Sequence, residues 1–465
     1  MIQFLICIGA LAFLMLVAYR GFSVILFAPI AALGAVLLTS PSAVLPIYSG
    51  LFMESMVVFV KLYFPAFMLG ALFGKLIELS GFAKSIVRAV IHVLGEKSAI
   101  LSIVTVCALL TYFGVSLFVV VFAVYPFAAE MFRQGNIPKR LIPGTIALGS
   151  FTFTMDSLPG TPQIQNIIPT TFFHTTIYAA PILGTLGGIY ILIIGMVYLE
   201  WCRRRAHIAG EGYGTGHINE TVIADEGKLV NPLIAVLPLL VVGIANYVVT
   251  RMVIPKVYGA TSSVLLNSTS KPIVQDVTKL NGIWSVETAL VLGILTVVVF
   301  GFSRISKTFA EGSKSAIAGA LLASLNTASE YGFGAVIAAL PGFLVVRDAL
   351  SHIPNPLVNE AISVNVLAGI TGSASGGMSI ALAAMANQFI AAANSHGIPM
   401  DVLHRVASMA SGGMDTLPHN GAVITLLMVT GLTHRTSYKD IFVVTCIKTS
   451  AVFVIIGLYY LTHWV

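Results

Sequence analysis

Met155-Asp156-Ser157-Leu158-Pro159 returns later in the chain as Met414-Asp415-Thr416-Leu417-Pro418. Each copy sets a carboxylate beside a hydroxyl and a proline, inside strongly apolar sequence. An ionisable group at membrane depth is costly and points to function. A proline there breaks the helical ladder, which a membrane tolerates where the freed backbone lines a polar cavity. Two such breaks at corresponding places in two halves point to the substrate site of a carrier.

The surrounding residues extend this chemistry. Gly160, Thr161, Pro162 and Gln163 follow the first break, and His419 and Asn420 follow the second. Pro159, Gly160 and Pro162 cannot sustain a helix. Unwinding leaves half-helices whose N-terminal N–H groups carry partial positive charge and favour an anion. Ahead of each break, a long apolar stretch is interrupted near its middle. Residues 98–133 are interrupted at Thr111-Tyr112-Phe113-Gly114-Val115-Ser116, and residues 355–394 at Thr371-Gly372-Ser373-Ala374-Ser375-Gly376-Gly377. Arms of ~14–18 residues are short for full spans and suit re-entrant hairpins with tips in mid-membrane. Two ordinary spans with a tight turn, or one tilted helix with a glycine kink, are the alternatives.

Candidate substrate contacts follow from this arrangement. The first tip offers Thr111, Tyr112, Gly114 and Ser116, and the first break Asp156, Ser157, Gly160, Thr161 and Gln163. The second tip offers Thr371, Ser373, Ser375 and Gly376, and the second break Asp415, Thr416, His419 and Asn420. Tyr112-Phe113 could stack on a sugar, gate the site, or simply pack. Asp156, Asp415, Glu330 and His419 are the candidate proton carriers, because buried carboxyls and imidazoles can exchange protons in the physiological range. Each has a plainer reading. The aspartates could be ionised caps on the adjacent half-helices. Glu330 could bond to Asn326 or Ser329, and His419 could be a hydrogen bonder in the wall. No Arg or Lys is expected at the membrane centre of the broken segments. Lys61 and Lys448 come nearest, and both are read as close to interfaces, where a long stem snorkels. Helix ends and hydroxyls would then hold the anion. That favours a small monoanion over a di- or tricarboxylate, which would call for an arginine fork.

Composition sets the class. Hydrophobic residues make up 57% of the chain and charged residues 9%, against roughly 25% charged in ordinary soluble domains. Apolar runs at 2–17, 22–38, 178–199, 232–249, 288–302 and 441–461 approach the roughly 20 residues that span a bilayer. The first run is expected to be a retained span. A net charge of +6 without a basic, aromatic-interleaved stripe gives no nucleic-acid signal. Cys7, Cys107, Cys202 and Cys446 form no metal spacing, so no metal or cofactor is expected. There is no HExxH, GxSxG or P-loop, so an enzyme is not expected.

The chain divides into a first membrane repeat (1–202), a cytoplasmic linker (203–230) opening on Arg203-Arg204-Arg205, and a second repeat (231–465). Each repeat reads as scaffold spans, then a hairpin (about 98–133; about 355–394), then a broken helix (about 138–174; about 399–433). Ile137-Pro138 and Ile398-Pro399 start the broken helices, where proline is well placed. With both termini outside, most of the 25 Lys and Arg fall on the inner side, and the halves run in opposite directions. The expected fold is an all-α polytopic membrane protein built as an inverted repeat.

Asn326-Thr327-Ala328-Ser329-Glu330-Tyr331-Gly332-Phe333-Gly334, the paired Met-Asp-Ser/Thr-Leu-Pro breaks and Gly160-Thr161-Pro162-Gln163 resemble the gluconate permease (GntP) family of the ion transporter superfamily. The likeness covers essentially the whole chain. The run at 160–170 looks most like the branch of D-beta-hydroxybutyrate and other small hydroxy-acid permeases. The resemblance implies an elevator-type carrier with a scaffold and a moving transport domain, proton-coupled uptake of a small hydroxy-carboxylate across the cytoplasmic membrane, and a homodimer. Sodium coupling in the same fold is one alternative. A channel or membrane-embedded enzyme is another.

Overall fold

The computed structural model describes residues 2–20, 22–95, 98–217, 229–265, 267, 271–345, 353–418 and 420–465. The chain opens with α1 (Ile2–Tyr19), α2 (Val24–Thr39) and a long α3 (Pro41–Leu79). The amphipathic α4 (Phe82–Leu94) buries Phe82, Ile86 and Val87 and exposes Lys84, Arg88 and His92. Next come α5 (Ala99–Tyr112) and α6 (Leu117–Gln134), then α7 (Ile142–Ser150), α8 (Phe153–Asp156) and α9 (Ile164–Phe173), and α10 (Pro181–Ile208) closes the first half. The second half begins with α11 (Pro232–Val257), α12 (Val277–Ile305) and α13 (Phe309–Ala339). It continues with α14 (Pro356–Thr371), α15 (Ala374–Ser395), α16 (Met400–Ser411), α17 (Gly421–Thr430) and α18 (His434–Thr462).

Among the described residues, six helical segments are long and apolar enough to cross a bilayer: α3, α10, α11, α12, α15 and α18. Leu37, Val57, Ile193, Ile244, Leu295 and Phe302 on these helices and α2 are exposed. Helices that turn such side chains outward belong in lipid. The protein is an all-α, multi-pass membrane protein, apart from one short ribbon that apolar periodicity did not announce. Thr261–Val264 and Ile273–Asp276 pair antiparallel between α11 and α12. The helix α10 also runs through Arg203-Arg204-Arg205 to Ile208, so the linker begins later than residue 203. Residues 218–228 of that linker lie outside the described set.

Both halves present a helical pair followed by an interrupted helix. The arms α5 and α6 are joined through Phe113-Gly114-Val115-Ser116, where Gly114 takes φ 94°. The arms α14 and α15 are joined through Gly372-Ser373, with Gly372 at φ 65°. Only glycine enters this left-handed region without strain, which explains a glycine at each tip. A Cβ on Gly377 would collide with the Ala368 backbone, so glycine lets α15 press against α14. At 22 residues, α15 exceeds the arm length read from the sequence. The interrupted helices are α7–α8–α9 and α16–α17.

Two sets of helices pack around these elements. α3 lies along α13 and also touches α12, and α2 covers α13. On the other side α10 packs with α18, and α16 is enclosed by α9, α14, α15 and α18. The sets meet where α13 touches α15 and α12 touches α9.

Candidate functional site

A cavity of about 830 Å³ opens where the two sets of helices meet. One wall is α3 and α13, with Ala66, Gly70, Asn326, Thr327 and Glu330. The opposite wall combines both tips and both breaks: Gly114 and Ser116, Gln163 and Gln165, Thr371, Ser373 and Ser375, and Asp415, Thr416 and Asn420. The starts of four helices line it. Ser116-Leu117 begins α6, Gln163-Ile164 begins α9, Ser373-Ala374 begins α15 and Asn420-Gly421 begins α17. Each helix start offers unpaired N–H groups and partial positive charge. In the second half these groups are partly used. Ser373 Oγ accepts from Gly376 N–H at 3.1 Å, and Asn420 Oδ1 accepts from Ala422 and Val423 N–H at 2.7 and 3.1 Å. In the first half, neither Ser116 nor Gln163 caps its own helix through its side chain.

A matched pair of carboxamides ties each break to its tip. Gln163 Nε2 donates to Thr111 O at 2.7 Å, and Asn420 Nδ2 donates to Gly372 O at 2.7 Å. Each sits at the N-cap of the half-helix beyond the break and reaches a carbonyl ending the first hairpin arm. Sequence spacing alone does not reveal this correspondence, because the two amides differ in length and in distance from their aspartates.

Behind the cavity the breaks are joined by two buried cations. Lys448, from the middle of α18, is 2% exposed. Its ammonium donates to Phe151 O at 2.6 Å and pairs with Asp156 Oδ2 at 2.9 Å and Asp415 Oδ1 at 3.5 Å. Ser157 Oγ donates to Asp156 Oδ1 at 2.8 Å. Arg405 of α16 is fully buried and donates to Ala179 O, Asp156 O, Ile177 O and Asn166 Oδ1. Beside it, His404 bonds Thr175 Oγ1 at 2.6 Å and Asn166 Oδ1 at 3.1 Å, and Ser408 Oγ donates to Asp156 O at 2.9 Å. Elements of the second half thus hold the first break, and a lysine spans both aspartates.

A relative decides the class. Over 473 residues the chain is 56% identical to the uncharacterized transporter YxjC of Bacillus subtilis (strain 168), covering 99% of each. This chain belongs to that transporter family. No family model matches the sequence. The fold is similar to that of MtrF from Neisseria gonorrhoeae, described among a class of antimetabolite efflux pumps. The TM-score is 0.54 at 11% identity, over 89% of this chain and 84% of that one. At that identity the likeness is one of fold.

Within this transporter the expected contacts separate into two groups. Gly114, Ser116, Gln163, Glu330, Thr371, Ser373, Ser375, Asp415, Thr416 and Asn420 line the cavity. Thr111, Tyr112, Asp156, Ser157, Gly160, Thr161 and Gly376 are not part of that lining. Thr111 and Gly376 support the tips, and a Cβ on Gly376 would strike Glu330. Tyr112 donates to Pro159 O at 2.9 Å, and Phe113 packs against Gly243 of α11, so neither ring faces the cavity. The amide of Gly160 donates to Ile177 O, Thr161 O accepts from Asn166, and both shape the first break. His419 lies outside the described residues.

Three readings of the charges need correction. The aspartates do not cap the half-helices, since Asn420 caps α17 and Gln163 occupies the N-cap position of α9. Lys448 is not interfacial, and Arg405 places a second cation among the breaks. Glu330 bonds neither Asn326 nor Ser329: Glu330 Oε2 and Ser329 Oγ are both buried without a hydrogen-bond partner. Lys61 does remain exposed on α3.

Proposed function

We propose that this transporter is a proton-coupled symporter of a small hydroxy-monocarboxylate, in the class of gluconate or 3-hydroxybutyrate. The observation that carries the reading is the convergence of four helix starts and a ring of hydroxyls on one cavity. Helix N-termini bind carboxylates without a fixed cation, and Ser116, Thr327, Ser373 and Ser375 suit a hydroxylated body. Arg405 and Lys448 are present, but both are fully engaged and neither lines the cavity. The cavity's cation among the described residues is Lys75, paired with Glu78 at 2.9 Å. The resemblance to the gluconate permease family supports the same substrate class.

In this reading the hairpins are re-entrant and the halves are inverted repeats, with both termini outside the cytoplasmic membrane. The helices α3 and α13 belong to a scaffold, which would also form the homodimer. The hairpins and breaks form a transport domain that slides along it. A cavity walled by one set of helices on each side supports alternating exposure by such sliding. Asp415 and Glu330, both cavity-facing carboxyls, are the proposed proton carriers.

The test is uptake into proteoliposomes driven by a pH gradient without sodium, with a panel of hydroxy-acids competing against labelled gluconate or 3-hydroxybutyrate. Saturable uptake, inhibited by hydroxy-monocarboxylates and weakly by citrate or succinate, is expected. Uptake that requires sodium would favour the sodium-coupled form. Absence of saturation and counterflow would favour a channel. The carboxamide latches make a second prediction. Gln163→Ala should lower uptake roughly 2–10-fold, the weight of one hydrogen bond of about 0.5–1.5 kcal/mol, and Asn420→Ala should lower it at least as much, because it also removes the cap of α17. The melting temperature of Gln163→Ala should stay near wild type, and that of Asn420→Ala should fall by the loss of a helix cap, about 0.5–2 kcal/mol. Unchanged uptake in both would separate the latches from transport.

A further inference from the structure

The Lys448 ammonium sits among three oxygens. It donates to Phe151 O at 2.6 Å and Asp415 Oδ1 at 3.5 Å and forms an ion pair with Asp156 Oδ2 at 2.9 Å. Two carboxylates and a carbonyl freed by a helix break are also the donor set that suits a hard cation. Unwound segments of membrane carriers hold sodium with such groups. The cage comes from both halves, because Phe151 and Asp156 belong to the first break and Asp415 to the second. A Cβ added at Gly412 would meet both Asp156 Oδ2 and Lys448 Nζ, so glycine there lets the α16 end close over the pair. Phe151 and Asp415 line the cavity, which connects the cage to the solvent path.

We propose that Lys448 is a built-in cation occupying a sodium-type site between the two breaks, which makes the transporter indifferent to sodium there. The proposal rests on the proton-coupled reading for its meaning in transport, but the cage can be tested without transport. Removing the ammonium leaves two carboxylates and a carbonyl around a void reachable past Asp415. A small monovalent cation from solution is the species that restores the single positive charge the ammonium supplied.

The experiment follows thermal unfolding of purified, substrate-free protein as sodium chloride replaces choline chloride at constant ionic strength. Wild type should show no sodium response. K448A should melt several degrees lower in choline and recover saturably in sodium, as a ligand bound only by the folded state requires. K448A/D156N, one ligand short, should fold without sodium and not respond to it. A saturable sodium response in wild type overturns the proposal. So does K448A that is indifferent to sodium or fails to fold in it, and so does a double variant as responsive as the single one. Loss of hydroxy-acid uptake by wild type would strike the transport reading alone, since the melting experiment contains no substrate.

Discussion

Asp415→Asn is expected to reduce uptake driven by a proton gradient at least about tenfold, the change that roughly 1.4 kcal/mol produces, while the protein still folds and inserts. The two aspartates of the repeated motif differ in geometry, and that difference carries the prediction. Asp156 is 1% exposed, holds Lys448 at 2.9 Å and accepts the Ser157 hydroxyl. Asp415 lines the cavity and meets the same ammonium at 3.5 Å. Two carboxylates against one ammonium leave one negative charge over, and the cavity-facing, loosely held group is the one a proton can reach. Asparagine keeps an oxygen for Lys448 but carries no exchangeable charge. Counterflow needs no net proton movement, so labelled exchange should survive while accumulation is lost. Wild-type accumulation in Asp415→Asn would remove Asp415 from the coupling. Asp156→Asn should behave differently. Breaking a buried pair costs about 3–5 kcal/mol, so its deficit should appear first as a lower melting temperature.

Arg405→Met is expected to lower the melting temperature by several degrees. The guanidinium is fully buried and serves three backbone carbonyls and the Asn166 side chain, spread over residues 156–179. Those carbonyls belong to the unwound break and the turn before α10, where no helical ladder can satisfy them. Each buried acceptor left without a donor costs about 1–3 kcal/mol. Asp156 O keeps Ser408, Ile177 O keeps Gly160 and Asn166, and Asn166 Oδ1 keeps His404, so the cost falls mainly on Ala179 O, within that range. Arg405→Lys should not rescue, because one compact ammonium cannot span a planar fork's acceptors. Size-exclusion profiles in detergent and melting curves provide the check. A monodisperse Arg405→Met protein with near-wild-type melting would show that the break is held by other contacts.

Most of the cavity wall was legible in the sequence. Glycines, hydroxyls and prolines inside apolar runs are locally coded signals, and they marked both tips and both breaks. Lys448 was misplaced for a definite reason. The last apolar run, read as 441–461, puts the lysine close to one end. The helix starts at His434, and at about 1.5 Å per residue Lys448 lies some 20 Å along it, near its midpoint. Arg405 follows Asp401 and His404 in a short, polar-looking helix, which resembles an interfacial segment. It is buried because α9, α14, α15 and α18 close around α16. The β-ribbon at 261–276 is short and half polar, and no apolar periodicity announces it.

The sequence by itself determined the membrane class, the two helix breaks, the glycine tips and the carboxylates near them. These depend on residue type and close spacing, which act within a few turns of chain. Only the tertiary structure decided which groups share a site. It turned Asp415 and Glu330 toward the cavity, put Asp156 behind it, and brought Lys448 and Arg405 across from other helices to hold both breaks. Those pairings join residues up to about 300 positions apart. They are fixed by how the helices pack around the breaks, and a single sequence carries no record of that packing in local pattern.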